Sequence, residues 1–490
     1  STEVKGEGCR IFLIFFDRNQ GLSHCTGPTI SLIIAWNSVL LFLRTTNRHT
    51  PIPQDGATAL AHQRDSRGQR LPSRLPPIKE VPGMNTGTQH SASDQGSSLQ
   101  AMLGPVLLLT AIFFLHFVSR QIAGPLLPAM ELELGLSHTQ SGLFVLSMGF
   151  GFFISQIAAA FLVSRWGFRR CILVSLWGSA AAVLTLGMMG SFSALLCAFL
   201  GVGITGGLYV PAGIALITVL VRSRDWGKAM GIHELAPNIA LVSVPFLATA
   251  AVFLHSWRLG YLSLAGALVL LALWATVFLV DSPERPSPPD VSRVREIVAN
   301  PSFWCLGLLL SLAVGVETGV YTMVPLFLVN ERAFDLADAN QLLGLSRIPG
   351  IAMVLVSGWL TDRLSPSFTV SMGLGVTGTS VVLLGVSPQW LLAPAVFLQA
   401  LSAACLFPPI LSMASNISGI ENRALTLSLS LAVAPLIGSG LLPAGIALAG
   451  DLGSFAAGLV GAGLLTVLGI GLVLVMKWRR RKAKVSVLHR

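Results

Sequence analysis

The chain has 490 residues, 53% of them hydrophobic and 11% charged, with a mean hydropathy of +0.73. A soluble domain carries roughly a quarter charged residues, so the composition excludes an ordinary soluble protein and indicates one embedded in a bilayer. The net charge of +10 does not indicate nucleic-acid binding, because the cations lie in short loops between apolar stretches, as membrane orientation requires.

Residues 1–100 differ from the rest. They hold ten Lys/Arg, a Pro/Arg/Gln-rich stretch from Pro51 to Pro82, and an apolar run, 29–43, interrupted by Trp36-Asn37-Ser38. That run is short for a span of about 20 residues, and no small-residue cleavage site follows it. The first methionine is Met84, and a polar stretch joins it to the first strongly apolar segment. The expectation is a disordered or non-native extension over 1–100, with a native start at Met84.

Twelve apolar spans follow, at 103–127, 139–163, 170–190, 193–221, 228–253, 258–280, 302–329, 338–361, 367–387, 389–414, 423–448 and 453–477. Each is long enough to cross about 30 Å of hydrocarbon as a helix. Between spans six and seven lies a polar, Pro-rich linker, 281–300, which separates a six-span half at 101–280 from another at 301–478. A basic tail, 479–490, ends the chain. The even-numbered loops and the tail carry nearly all the Lys/Arg, against Arg258 and Arg332 in the odd-numbered loops. This bias predicts that both termini and the linker are cytoplasmic. The six cysteines (Cys9, Cys25, Cys171, Cys197, Cys305 and Cys405) show no paired spacing, so neither a metal site nor a disulfide framework is expected.

One loop occurs twice. Phe161-Leu-Val-Ser-Arg-Trp-Gly-Phe-Arg-Arg170 follows span two, and Gly358-Trp-Leu-Thr-Asp-Arg-Leu-Ser365 follows span eight. Arg165 aligns with Arg363, and Ser164 with Asp362. A loop repeated after the second span of each half marks an internal duplication.

Twelve spans, this polarity and this repeated loop together resemble the major facilitator superfamily (MFS) of secondary transporters, over about residues 101–478. The family loop reads Gly-x-Leu-Ala-Asp-Arg-x-Gly-Arg-Lys/Arg. Leu162, Arg165, Gly167 and Arg169 match in the first copy, where Ala160 and Ser164 replace Gly and Asp; Gly358, Leu360, Asp362 and Arg363 match in the second. The resemblance implies that Arg165, Gly167, Arg169, Gly358, Asp362 and Arg363 latch the two halves at the cytoplasmic side. The alternative is that they serve only as positive-inside anchors. Two other family patterns are degraded. Cys197 stands where span four carries an Arg before Gly201, and the span-five antiporter pattern keeps only Gly231 and Pro245. These departures argue against a proton-driven multidrug exporter.

Ionisable residues within spans are expensive and mark functional positions. Arg347, about ten residues into span eight and so near 15 Å depth, is the sharpest of them. Its guanidinium stays charged and needs an anion, either a carboxylate substrate held bidentately or a permanent partner in Glu317. Glu317 and Tyr321 share a face of span seven, and a carboxyl in hydrocarbon is a candidate carrier of a coupling proton. Arg120, in span one, is a second anion candidate, or an Arg reaching to the outer interface. His233 and Glu234, early in span five, are proton-coupling or gating candidates. Tyr209, Tyr321 and Gln399 are further candidates for the substrate cavity, and Gln121, Gln156 and Asn238 are polar companions.

The expected fold is all-α: twelve transmembrane helices in two six-helix bundles, with the site between them near mid-membrane. The expected function is alternating-access transport of a small organic anion, a carboxylate, with a proton across the inner membrane, by a monomer in the lipid bilayer. Export of drug-like compounds is the alternative, and a non-transporting membrane sensor is the alternative class. The chain shows none of the GxxxxGK[ST], HExxH or GxSxG patterns, so neither an enzyme nor a cofactor is expected.

Overall fold

The computed structural model describes residues 96–254, 256–414 and 423–488. The apolar run at 29–43 and Met84 lie outside these residues. Among the described residues, twelve helices are long and apolar enough to cross a membrane. In chain order, spans one to six are Leu99–Leu134, His138–Trp166, Phe168–Met188, Phe192–Leu220, Ser223–Phe253 and Trp257–Phe278. Spans seven to twelve are Pro301–Asn330, Leu336–Arg363, Pro366–Val386, Gln389–Met413, Leu425–Asp451 and Phe455–Arg479.

The expected boundaries hold to within a few residues, with three differences. Span one runs on past Pro128 and Glu131 to Leu134, and ends at Gly135 with φ +63°. The linker contains a helix, Val291–Ala299, started by the Asp290 carboxylate accepting the Ser292 N–H at 2.8 Å. The basic tail continues the last helix to Leu488 instead of leaving it.

Several spans are interrupted, and proline explains where. A helical proline lacks the N–H that residue i−4 would accept and pushes that carbonyl aside. Pro125 does this to Gln121, where span one bends at Ile122. Pro237 does it to His233, where span five breaks into Trp226–His233 and Leu235–Phe253. Carbonyls freed in this way must find other donors inside a bilayer, and two find them on neighbouring spans. Leu241 O, released by Pro245, accepts from the Tyr321 hydroxyl at 3.2 Å. Cys405 O, released by Pro409, accepts from Ser357 Oγ at 2.6 Å. Spans seven and eleven each widen into π-helical turns, Gly315–Gly319 and Pro435–Leu441. These turns pack together because Gly315, Gly319 and Gly438 leave room for direct backbone approach. Thr318 and Ser439 hydroxyls join them at 2.8 Å.

The halves make their close contacts toward the end opposite the linker helix. Both Asp451 oxygens accept backbone N–H groups at the start of span two, from His138 at 3.0 Å and Thr139 at 2.8 Å. Asn340 Nδ2 donates to Pro125 O at 3.3 Å. Gly142 sits against Ala444 and Ala447, Gly124 against the Thr322 backbone, and Gly344 against Phe246 and Val242. These contacts hold the two halves together at that end.

Candidate functional site

In the second half, spans seven, eight and ten bring four of the expected residues together. Arg347 is buried, and its Nη2 donates to Gln399 Oε1 at 3.3 Å. The guanidinium carbon lies 5.0 Å from the centre of the Tyr321 ring, a cation–π distance. Gln399 is itself fixed, because its Nε2 donates to Val316 O at 2.6 Å in the π-helical turn. Glu317, the next residue, lies close enough to Arg347 for their charges to interact. Among the described residues, however, the two form no direct ion pair, and Arg347 Nε has no hydrogen-bond partner. Tyr321 joins this cluster to the other half through its bond to Leu241.

In the first half, Arg120 projects between spans one, two and four. Its guanidinium carbon is 4.7 Å from the Phe152 ring centre and 5.0 Å from that of Phe117, and its side chain runs past Gly206. Arg120 Nε and the side-chain oxygens of Gln121 and Gln156 have no partner among the described residues. Arg120 is therefore not reaching to an interface; it sits inside the first half among aromatic rings. Counting about 1.5 Å per residue, Arg347 and Arg120 lie roughly 16 and 21 Å from the far ends of their spans.

Tyr209 is fully buried within the first half. Its hydroxyl donates to Leu109 O at 2.7 Å and lies 3.1 Å from His233 Nε2. His233 is also fully buried and stacks on Phe113, with ring centres 4.5 Å apart. Its Nδ1 is 3.4 Å from the exposed Glu234 carboxylate. Asn238 donates to Glu234 O at 2.9 Å.

The repeated loop makes different contacts from those its family pattern implies. Gly167 adopts φ +84° and lets the chain turn directly from span two into span three. Arg169 then donates to Leu279 O at 3.0 Å and to Thr276 O at 2.6 Å, capping the end of span six. Arg285 of the linker donates to Arg165 O at 2.9 Å. In the second copy Arg363 lies over the Trp359 ring at 5.6 Å, Gly358 faces open space, and Asp362 is exposed without an ion pair among the described residues. In this conformation the loop ties elements within the first half and does not bridge the two halves.

Sequence reading missed three contributors. His116, one turn from Arg120, stacks on Tyr209 at 5.1 Å and meets Ser179 at 3.0 Å; an ionisable residue at i−4 from a candidate Arg was the available signal. Asn340 and Asp451 stand near span ends and read as ordinary boundary residues, because only the packing of the halves gives them partners.

The sequence pattern described as Major Facilitator Superfamily matches residues 109–383 and 348–489. A probable sulfoacetate transporter from Cupriavidus necator is 25% identical over 284 residues, covering 54% of this chain and 65% of that protein. A probable nitrate/nitrite transporter from Mycobacterium tuberculosis is 24% identical over 282 residues, covering 56% of this chain and 70% of that protein. The chain thus aligns with about two-thirds of each relative's length. A crystal structure of a bacterial homologue of the human lysosomal transporter Spinster, inward-facing and occupied, superposes with a TM-score of 0.63 at 19% identity, over 79% of this chain and 98% of that one. With twelve spans, a duplicated loop and a family pattern that runs through both halves, the chain belongs to the major facilitator superfamily of multi-pass membrane transporters and is not an enzyme.

Proposed function

We propose that this protein carries a small organic anion, a carboxylate, across the inner membrane together with a proton, by alternating access. The observation that carries this reading is Arg347. It is a fixed cation deep in span eight, held by Gln399 and Tyr321, with a donor left unpaired and no direct carboxylate partner among the described residues. A buried, unmatched guanidinium is costly unless an anion meets it, and its fork suits a carboxylate. Arg120 offers a second cation from the opposite half. That two relatives are named for anions, sulfoacetate and nitrate/nitrite, supports the same solute class.

Glu317 is the coupling acid in this reading. It shares the Arg347 neighbourhood without being bonded to it, so an arriving anion and a proton on Glu317 compensate each other's charge. In this reading the linker end is cytoplasmic, as the distribution of Lys/Arg predicts, and the contacts at the opposite end belong to the inward-facing half of the cycle. The repeated loop forms its inter-half latch only when the cytoplasmic ends close.

Counterflow in proteoliposomes loaded with mono- and dicarboxylates tests the proposal. Exchange of carboxylates, with neutral and cationic amphipaths inert, is the expected result. Exchange confined to cationic or neutral drug-like compounds refutes it and favours export. For coupling, Glu317→Gln is expected to retain exchange and lose proton-driven accumulation; surviving accumulation removes Glu317 from that role.

A further inference from the structure

The break in span five places a carboxylate against a buried imidazole at a hinge, and the hydrogen bonds around that imidazole limit where its protons are. Tyr209 has one hydroxyl proton and two acceptors in reach, Leu109 O at 2.7 Å and His233 Nε2 at 3.1 Å, and the shorter contact is the better placed to take it. The oxygen then faces His233 Nε2 at 3.1 Å as an acceptor, so Nε2 carries a proton. The other ring nitrogen, Nδ1, faces Glu234 Oε1 at 3.4 Å. A bare Nδ1 and an ionised carboxylate would point lone pairs at each other. A proton between them removes that clash, either on the imidazolium beside a carboxylate or on the carboxyl beside a neutral ring. The parallel Phe113 ring, tilted by 6°, holds the imidazole plane in place.

The geometry points to His233 and Glu234 as a proton-holding pair, loaded in the described conformation and built into the hinge of span five. This deepens the proton-coupled reading above and rests on it for the direction of transport, though not for the pair itself. His233 is sealed in, while the Glu234 side chain is about half exposed (52%), so Glu234 is the route by which the proton enters and leaves. When the pair loses its proton, Nδ1 no longer binds the carboxylate and Glu234 swings out. The residues that move are those where Pro237 has already broken the helix. Beyond the hinge, span five carries Leu241, whose carbonyl is held by Tyr321 from the Arg347 cluster. Proton occupancy and the inter-half contact are thus about two helical turns apart on one span.

The other groups around the pair are few. From span one, His116 and Arg120 approach the same aromatic cluster. From span four, Tyr209 is the titratable neighbour. On span five itself, Lys228 and Asp225 pair with each other at 3.7 Å, nearer the linker end.

The test is a histidine nitrogen-15 NMR titration of the full-length protein in lipid nanodiscs, with His233 assigned by its loss in His233→Gln. The expected result is a ring carrying a proton on Nε2 and a shared proton at Nδ1, with one titration step. In Glu234→Gln that step moves to lower pH, because the neutral amide no longer stabilises a proton at Nδ1 as a carboxylate does. Tyr209→Phe shifts the step by removing the acceptor that fixes Nε2. A His233 signal that titrates identically in the parent and Glu234→Gln overturns the proposal. Should Glu234→Gln not fold, an unmoved step in Tyr209→Phe overturns it equally. A lowered step in Glu234→Gln without any carboxylate counterflow in the parent establishes the pair and rejects the solute reading.

Discussion

Asp451→Ala should open the end of the bundle opposite the linker. Ser137 caps span two by accepting the Gln140 N–H at 3.2 Å, which leaves the His138 and Thr139 N–H groups to Asp451. The substitution removes two charge-assisted bonds and a negative charge at a helix N-terminus. Helix-end acceptors contribute about 1 kcal/mol, and an anion there adds about 0.3–1 kcal/mol. Because Asp451 is exposed, water replaces part of both terms, and about 1.4 kcal/mol is a fair net value, roughly a tenfold shift in the closed-to-open ratio. The contact joins span eleven to span two, so the loss falls on the closed state and not on either half alone. Spin labels at the exposed positions Leu132 and Trp390, one at the far end of each half, report the separation by double electron–electron resonance. Long distances should gain about tenfold in relative population, and Asp451→Asn, which keeps one acceptor oxygen, should fall between. Identical distance distributions in the parent and Asp451→Ala would refute the idea that this contact holds the end shut.

Tyr321→Phe keeps the ring over Arg347 but leaves Leu241 O without its donor; a loss of about 1–2 kcal/mol should appear as lower thermal stability and faster opening between spans five and seven, with anion affinity nearly unchanged. Gly203→Ala would drive a methyl group into the Met148 carbonyl and to within 2.9 Å of Phe152 N. Overpacking of that kind costs about 1–3 kcal/mol, so the melting temperature should fall while the preference among solutes stays the same. Arg169→Ala uncaps the end of span six and should lower stability by about 1 kcal/mol, measured by thermal unfolding, without changing which solutes exchange.

The spans were legible because hydropathy and loop charge report directly on a bilayer: eleven of the twelve spans match their apolar runs closely, and span one alone runs well past its run, through Glu131 and Glu133 to Leu134. The Arg347, Tyr321, Gln399 and Glu317 cluster was legible as separate polar residues in apolar helices, since each is expensive there. That they meet depends on three spans packing at one level, which no local pattern records. The roles of the prolines were half visible. Pro245 and Pro409 announce freed carbonyls, but the donors that answer them, Tyr321 and Ser357, sit on other spans. Arg169 shows the same limit: its family pattern implies a latch between halves, but the carbonyls it meets in this conformation, those of span six, are set by packing that no local pattern records.

The central claim is that Arg347 holds the anion. Carboxylate counterflow by purified Arg347→Gln and Arg347→Lys, each shown to be folded by its melting curve, tests it most directly. Exchange should fall at least tenfold in both variants, since a lysine keeps the charge but not the bidentate fork. Carboxylate exchange that continues unchanged in Arg347→Gln would contradict the account.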